Sequence, residues 1–219
     1  DNIVKKVITE MNTESLSNNK EKITAGLGVF DSIDTAIEEA YTAQKNYTDY
    51  SLEQRREIIS LLRKKLIDFV DEMAERAVIE TKMGRKADKI LKNKLAIEKT
   101  PGVEDLVTEA FTGDDGLTLV ELSAFGVLGS ITPVTNPTET IINNTISAIA
   151  GGNSIVFCPH PSAEATSIWT VQLINKIIIE AGGPKNLVTA PMKAKKENAD
   201  ILFSHEKINM LVITGGTEI

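Results

Sequence analysis

The sequence predicts an α/β fold built around a parallel β-sheet. Short runs rich in isoleucine and valine alternate with segments of helical length between residues 125 and 213, and glycine, proline or polar breaks separate them. A helical periodicity of apolar residues covers much of the preceding chain. Apolar strands joined by helices are typical of βαβ units, whose parallel strands are buried on both faces and bind ligands at their carboxyl ends.

The composition excludes several classes of protein. Of the 219 residues, 42% are hydrophobic and 25% are charged, as in a globular protein, and the formal net charge of −7 disfavours binding to nucleic acid. A single cysteine and two histidines leave no disulfide framework and no recognisable metal site. No apolar stretch is long enough to cross a bilayer, and the first residues lack the apolar core of a secretory signal. We therefore expect a reduced, cytoplasmic location without membrane contact.

The chain opens with an amphipathic segment followed by a polar one. Residues 2–11 place Ile3, Val7 and Met11 on one helical stripe, and residues 12–22 are rich in Asn, Ser, Thr and Lys. This pattern predicts a short helix and a linker. The helix either packs on its own domain or docks on another molecule, and composition alone leaves both interpretations open.

A layer of three helices is predicted next. The first begins near Ser32, the second begins at a capping box formed by Ser51 and Gln54 and continues to Gly84, and the third covers residues 86–99. None of these helices carries a recognisable chemical motif, so we expect them to be structural.

The pattern then changes to alternating strands and helices. After a turn at residues 113–116, strands are predicted at residues 117–122 and 125–131. Beyond them the predicted helices cover residues 138–150, 163–181 and 195–204, and the predicted strands cover residues 154–157, 186–189 and 208–213. The strand ends that would face a ligand are therefore residues 132–136, 158–161, 190–192 and 214–217.

The helix after the first of these strand ends has a strong start signal. Asn136 stands at the N-cap position, Pro137 at the first helical position and Glu139 two residues later. Capping explains Asn136 completely, and a helix N-terminus at the strand ends is also an anion or oxyanion site. The two interpretations are compatible.

Three other strand-end features have a functional and a structural interpretation. Cys158 is a nucleophile or, more simply, a small buried hydrophobic residue. His160 faces a ligand or lies in an exposed loop. Thr214, Gly215 and Gly216 let the backbone approach a phosphate or form a simple loop. A complete dinucleotide-binding glycine fingerprint is absent from the sequence.

Three segments closely resemble the aldehyde dehydrogenase superfamily. They are FGVLGSITPVTNP at residues 125–137, INN at residues 142–144 and AGGNSIVFCPHP at residues 150–161. In particular they look like its CoA-acylating branch, the acetaldehyde and propionaldehyde dehydrogenases of ethanolamine and propanediol utilisation. The similarity runs from about Val29 to the last residue.

The resemblance implies an aldehyde-dehydrogenase-like, Rossmann-type parallel sheet and a reaction in which a cysteine attacks the aldehyde, NAD accepts a hydride and coenzyme A releases the acyl group. It implies Asn136 as the oxyanion donor, with Thr135 as the alternative because a gapless alignment to ordinary members places the oxyanion asparagine there. Cys158 falls where ordinary members have a lysine, so it is implied to line the cofactor pocket and not to be the nucleophile. The implied cofactor-binding residues are Thr132, Pro133, Cys158, Pro159, His160, Gly183, Thr214, Gly215 and Gly216.

The resemblance also implies a division of the chain into a docking helix and linker at residues 1–22, a helical layer at residues 23–111, hairpin strands of an oligomerisation arm at residues 112–131 and a partial NAD- and CoA-binding domain at residues 132–219. Residues 1–11 are similar to peptides that dock enzymes onto a bacterial microcompartment shell, and the arm implies a dimer or tetramer. The family's nucleophilic cysteine falls beyond the position of Ile219, so we expect a truncated chain that is inactive alone. A non-acylating NAD(P) aldehyde dehydrogenase fragment and a non-catalytic scaffold module remain the alternatives.

Overall fold

The structure, a computed structural model, describes residues 25–216. The predicted docking helix and linker, at residues 1–22, lie outside the described residues, as do residues 23–24 and 217–219. The described helices are α1 (Ile33–Tyr47), α2 (Leu52–Leu66), α3 (Val70–Thr81), α4 (Lys86–Lys99), α5 (Pro137–Ala150), α6 (Glu164–Glu180) and α7 (Lys196–Ser204). The described strands are β1 (Val29–Phe30), β2 (Glu109–Gly113), β3 (Gly116–Val120), β4 (Val127–Ile131), β5 (Ser154–Cys158), β6 (Val188–Pro191) and β7 (Ile208–Ile213).

Five of the strands form one parallel sheet in the order β1-β6-β5-β4-β7. All residues of β4, β5 and β6 are buried, as expected for parallel strands covered on both faces. Because every strand runs in the same direction, all five carboxyl ends lie at one edge of the sheet. The predicted α/β class and parallel sheet are confirmed.

The two faces of the sheet are covered by largely different sets of helices. Alternate residues of β5 separate into two hydrophobic clusters, since Ile155 and Phe157 belong to one and Val156 and Cys158 to the other. The larger cluster contains residues of α2, α3, α4, α5 and α6 together with the C-terminal end of α1, and the smaller one contains residues of the rest of α1 and of α7. The core is thus a three-layer arrangement that presents the strand ends at one edge.

The predicted partners of the hairpin are wrong. Residues 117–122 were expected to lie beside residues 125–131, but β3 pairs antiparallel with β2 through the turn at Asp114 and Asp115. β4 instead joins the sheet between β5 and β7. The physical reason is burial, because β4 is apolar enough to be enclosed on both faces, whereas every residue of β2 and β3 is exposed.

The long second helix is also interrupted. A short 3₁₀ segment at Ile67–Phe69 separates α2 from α3. The sequence has neither glycine nor proline at this point, so local propensity carries no signal of the break. Both helices contact α5 and α6, but α3 packs most extensively against α4, with which α2 has little contact. Tertiary packing therefore determines where the helix is interrupted.

Two kinds of feature are absent from the described residues. No helix within residues 25–216 has the length and apolar character needed to cross a membrane. No group of three or more His, Cys, Asp or Glu side chains in the same range is arranged to hold a metal ion.

Candidate cofactor and oxyanion site

The carboxyl edge of the sheet brings together the segments that follow β4, β5 and β7. The backbone N–H of Thr132 donates to the carbonyl of Cys158 at 3.2 Å, and the N–H of Thr214 donates to the carbonyl of Ile131 at 3.1 Å. These bonds extend the strand ladders by one residue. They fix the predicted residues Thr132, Cys158 and Thr214 beside one another.

Thr132 has a polar atom that the fold leaves without a partner. Its side chain is 2% exposed, and its hydroxyl Oγ1 makes no hydrogen bond with any described residue. A buried hydroxyl without a partner costs free energy, and such groups are uncommon unless a ligand or water completes them. Pro133 follows it with its side chain half-buried. This edge therefore holds a hydroxyl that suits a polar ligand such as a dinucleotide.

Cys158 is part of the hydrophobic core. Its side chain is 4% exposed and packs in the cluster that includes Ile37, Val156 and Leu202. Burial raises the pKa of this thiol from 9.0 to about 11. A nucleophilic cysteine needs a lowered pKa and an open path to its substrate, so Cys158 is unsuited to that role.

His160 is half-buried at the edge, after the buried Pro159. Its Nδ1 accepts a hydrogen bond from the backbone N–H of Ser162 at 3.1 Å and so opens the 3₁₀ turn Pro161–Ala163. In the neutral ring, this assigns the proton to Nε2, which becomes a donor available to a ligand. The glycines that follow Thr214 are exposed, and a side chain at Gly216 would meet open space.

Asn136 occupies the predicted N-cap position of α5, but its side chain makes no capping bond. Its Oδ1 accepts a hydrogen bond from Lys92 Nζ at 3.1 Å, and its Nδ2 donates to Thr135 Oγ1 at 3.4 Å. The capping interpretation of this side chain is therefore wrong. Since the amide is not needed at the helix end, it remains available for the oxyanion role.

A buried lysine of α4 binds the backbone of the segment that carries Asn136. Lys89, 2% exposed, donates from Nζ to the carbonyl of Thr135 at 2.8 Å and lies 4.0 Å from Oε1 of Glu139. Burial lowers the pKa of the Lys89 ammonium, and the nearby Glu139 carboxylate opposes that shift. Glu139 is itself 7% exposed, and its Oε2 accepts a hydrogen bond from Thr138 Oγ1 at 3.1 Å.

The expectation that α4 is structural stays a prediction, but the helix contributes Lys89 and Lys92, which contact Thr135 and Asn136. Sequence reasoning missed both residues, although a signal was present. Lys89 lies on the stripe that also contains Asn93 and Ile97, which are buried. A lysine on the buried stripe of a helix needs a polar partner inside the protein.

An open cleft of about 460 Å³ runs along this end of α4 and α5. It joins the candidate oxyanion residue to the end of β7. Its lining consists of Lys92, Leu95, Ala96, Lys99, Thr100, Pro101, Asn136, Glu139, Thr140, Asn143, Asn144 and Thr214.

The structure separates Gly183 from the other predicted cofactor-binding residues. Gly183 follows α6, whose seventeen residues span about 25 Å from the carboxyl edge to the opposite edge of the sheet. There its N–H donates to the carbonyl of Ile178 at 2.8 Å, and a side chain in its place would collide with Ile178. This glycine serves helix packing in the described structure and does not join the site.

Comparison with known proteins agrees with the fold. The family model described as "Aldehyde dehydrogenase family" matches residues 8–219. The chain belongs to the aldehyde dehydrogenase family.

Individual members of the family are similar over most of the chain. The propanal dehydrogenase (CoA-propanoylating) of Salmonella typhimurium is 47% identical over 194 residues, which is 89% of this chain and 42% of that protein. The structure of a propionaldehyde dehydrogenase from the Clostridium phytofermentans fucose utilisation bacterial microcompartment has a TM-score of 0.86 and 50% identity, covering 88% of this chain and 44% of that one.

A third relative is the Rhodopseudomonas palustris propionaldehyde dehydrogenase, solved with bound CoA and an acylated cysteine. It is 47% identical with a TM-score of 0.86, and the match covers 89% of this chain and 45% of that one. The chain thus spans a little under half the length of these aldehyde dehydrogenases.

Proposed function

We propose that this chain is the cofactor-binding part of an enzyme that oxidises a short-chain aldehyde reversibly to an acyl-CoA, with NAD and coenzyme A. The observation that carries the proposal is the grouping of Thr132, His160 and Asn136 at the carboxyl edge of the parallel sheet. The similarity to aldehyde dehydrogenases named for CoA-dependent acylation supports the same assignment.

The residues at the edge fit a dinucleotide. The unpartnered hydroxyl of Thr132 and the Nε2–H of His160 are two polar groups that a ribose or a phosphate can satisfy. The exposed Gly215 and Gly216 leave their backbone open to close approach. When bound, NAD supplies a two-electron acceptor for a hydride. The proposal for coenzyme A rests on the relatives, one of which was solved with bound CoA.

In the proposed reaction, Asn136 stabilises the negative charge that develops on the aldehyde oxygen. An oxyanion donor must present an N–H that is already in place before charge develops. The Nδ2 group of Asn136 has only a long contact with Thr135 Oγ1 among the described residues, so at least one N–H is free for the substrate. Thr135 is exposed beside it, and it is the alternative donor.

The nucleophile of the proposed reaction is not Cys158. That thiol is enclosed in the core and protonated at neutral pH. Because the sequence has no other cysteine, thioester formation requires a thiol that these 219 residues do not contain. We therefore expect the isolated chain to bind cofactor without turning over aldehyde.

The test is a steady-state assay of the complete gene product with propanal and NAD, with and without coenzyme A. We expect NADH to form only when coenzyme A is present, with propanoyl-CoA as the product. Formation of free propanoate without coenzyme A would indicate a non-acylating aldehyde dehydrogenase. No NADH under either condition, together with no NAD binding, would favour a scaffold.

We also propose that residues 1–11 dock the protein on a microcompartment shell, which places the protein in the cytoplasm within such a compartment. The support is the amphipathic pattern of these residues and the microcompartment source of one relative. Deleting residues 1–11 should leave aldehyde oxidation unchanged and abolish co-purification with shell protein. Unchanged co-purification would refute the docking role.

A further inference from the structure

Two lysines one turn apart on α4 contact the two residues proposed to stabilise the oxyanion. Lys89 holds the carbonyl of Thr135, and Lys92 holds the Oδ1 atom of Asn136. The contacts are 2.8 Å and 3.1 Å long, within the range of ordinary hydrogen bonds. A single helix thus supports both the backbone and the side chain of this segment.

The contact with Lys92 determines which way the Asn136 amide points. An ammonium group has three donors and no acceptor, so only the oxygen of the amide can face it. The Nδ2 group must then point in the other direction. Without Lys92 the amide could rotate and present its oxygen to the substrate, where an acceptor would repel a developing oxyanion.

The contact with Lys89 fixes the position of the Thr135 backbone relative to α4. Lys89 and Glu139 are both nearly enclosed, and Glu139 is in the first turn of α5, which begins directly after Asn136. A buried ammonium that lost its carbonyl partner would be costly, so the Thr135 carbonyl is held firmly. Lys92 therefore acts on an amide whose backbone is already positioned.

We propose that Lys92 is a positioning residue, which turns the Asn136 amide so that Nδ2 is presented to the reacting oxygen while Lys89 anchors the backbone beneath it. This inference rests on the proposed acylating aldehyde dehydrogenase function. It adds a positioning residue on α4 to that function. This residue lies outside the strand ends, where the family resemblance locates the site.

The first test is kinetic and uses the complete gene product. Replacing Lys92→Met keeps the length of the side chain and removes the donor. We expect kcat and kcat/KM for propanal to fall together by about tenfold to a hundredfold, with KM unchanged, because the oxyanion contact is made only in the transition state. Lys92→Arg, which also only donates, should restore most of the activity.

The matched control is Lys94→Met, which removes an exposed lysine of α4 that does not line the cleft. This variant should keep the wild-type rate. Equal rates for Lys92→Met and the wild type would overturn the proposal, as would a similar loss of activity in Lys94→Met.

The second test does not depend on activity. In the 219-residue chain labelled with ¹⁵N-asparagine, the side-chain amide signal of Asn136 is assigned by its loss in Asn136→Asp. We expect Lys92→Met to shift both Nδ2 protons of this signal and Lys94→Met to leave them in place. An unshifted signal in Lys92→Met would overturn the proposal even if activity fell. If the wild-type protein proved inactive, the proposed function would fail, and the amide signal would still decide whether Lys92 holds Asn136.

Discussion

At the scale of single residues, the candidate site contains polar side chains with uncommon burial or hydrogen bonding. Thr132 has a buried hydroxyl without a partner, Asn136 stands at a helix start without capping it, and Lys89 is a buried cation held by a carbonyl. Each of these arrangements costs stability in an isolated domain. Buried hydroxyls without a described partner also occur elsewhere, for example at Ser154 at the amino end of β5. The observation that favours a binding site is therefore the grouping of these three residues at the end of β4.

Cys158 provides a prediction of pH dependence. In the unfolded chain its thiol titrates near 9.0, and in the folded chain burial raises the pKa to about 11. A group whose pKa is higher in the folded state stabilises that state fully below the unfolded pKa, and this contribution is lost as the pH rises through the folded pKa. Stability should therefore fall between pH 9 and pH 11 because of this thiol.

The measurement compares urea unfolding of the wild-type chain with that of Cys158→Ala at several pH values. The difference between their free energies of unfolding should be constant below pH 8 and decline by about 2 kcal/mol by pH 11. Taking the difference between the two proteins cancels the titration of other groups. A pH-independent difference would mean that the thiol is not buried in solution.

At the scale of secondary-structure elements, local sequence signals predict where a helix begins more accurately than where it is interrupted. The sequence predicts α4 and β7 with the bounds that the structure shows, and it predicts the capping box of α2. Periodicity and capping are local properties, so they are readable without knowledge of the fold.

Three features could not be predicted because they depend on contacts between distant segments. The 3₁₀ break at Ile67–Phe69 follows from the different neighbours of the helices on either side. The pairing of β4 within the sheet follows from burial on both faces. The contact of Lys92 with Asn136 joins residues 44 positions apart. The sequence thus predicts the end of β4 and the helix α4, but not the contacts that α4 makes with the segment after β4.

The capping box of α2 gives a prediction for an element. The Ser51 hydroxyl accepts from the Gln54 N–H at 3.3 Å, and the Gln54 side chain accepts from the Ser51 N–H at 2.9 Å. Ser51→Ala should lower the free energy of unfolding by about 1 kcal/mol, because it leaves a helix N–H without an acceptor. Ser60→Ala, an exposed change in the middle of the same helix, should cause no loss. Equal stability of the Ser51→Ala variant and the wild type would show that the cap contributes nothing.

At the scale of the whole molecule, the β2–β3 hairpin exposes apolar side chains to solvent. Leu117 and Leu119 lie on one face of it and are 64% and 62% exposed. Apolar surface of this kind marks sites of association between proteins. The hairpin fits the oligomerisation arm that the family resemblance implies, and this role remains a prediction.

A sedimentation experiment tests the role of the hairpin. We expect the wild-type chain to associate as its concentration rises, and the double variant Leu117→Ser with Leu119→Ser to remain monomeric. Thr118→Ser, which lies between them on the opposite face, should associate like the wild type. Association of the double variant at wild-type concentrations would assign the interface to another surface.

The central claim is that the carboxyl edge of the sheet binds a nicotinamide dinucleotide, and calorimetric titration of NAD into the chain tests it most directly. We expect the wild type to bind and the paired change Thr132→Val with His160→Ala to abolish binding while the protein stays folded. Valine keeps the shape of threonine, and loss of the His160 cap on the Ser162 N–H should lower the free energy of unfolding by only about 1 kcal/mol. Lys185→Ala, an exposed change after α6 near the opposite edge, should bind NAD like the wild type. Absence of wild-type binding at millimolar NAD, or equal affinity in the paired variant, would contradict the claim.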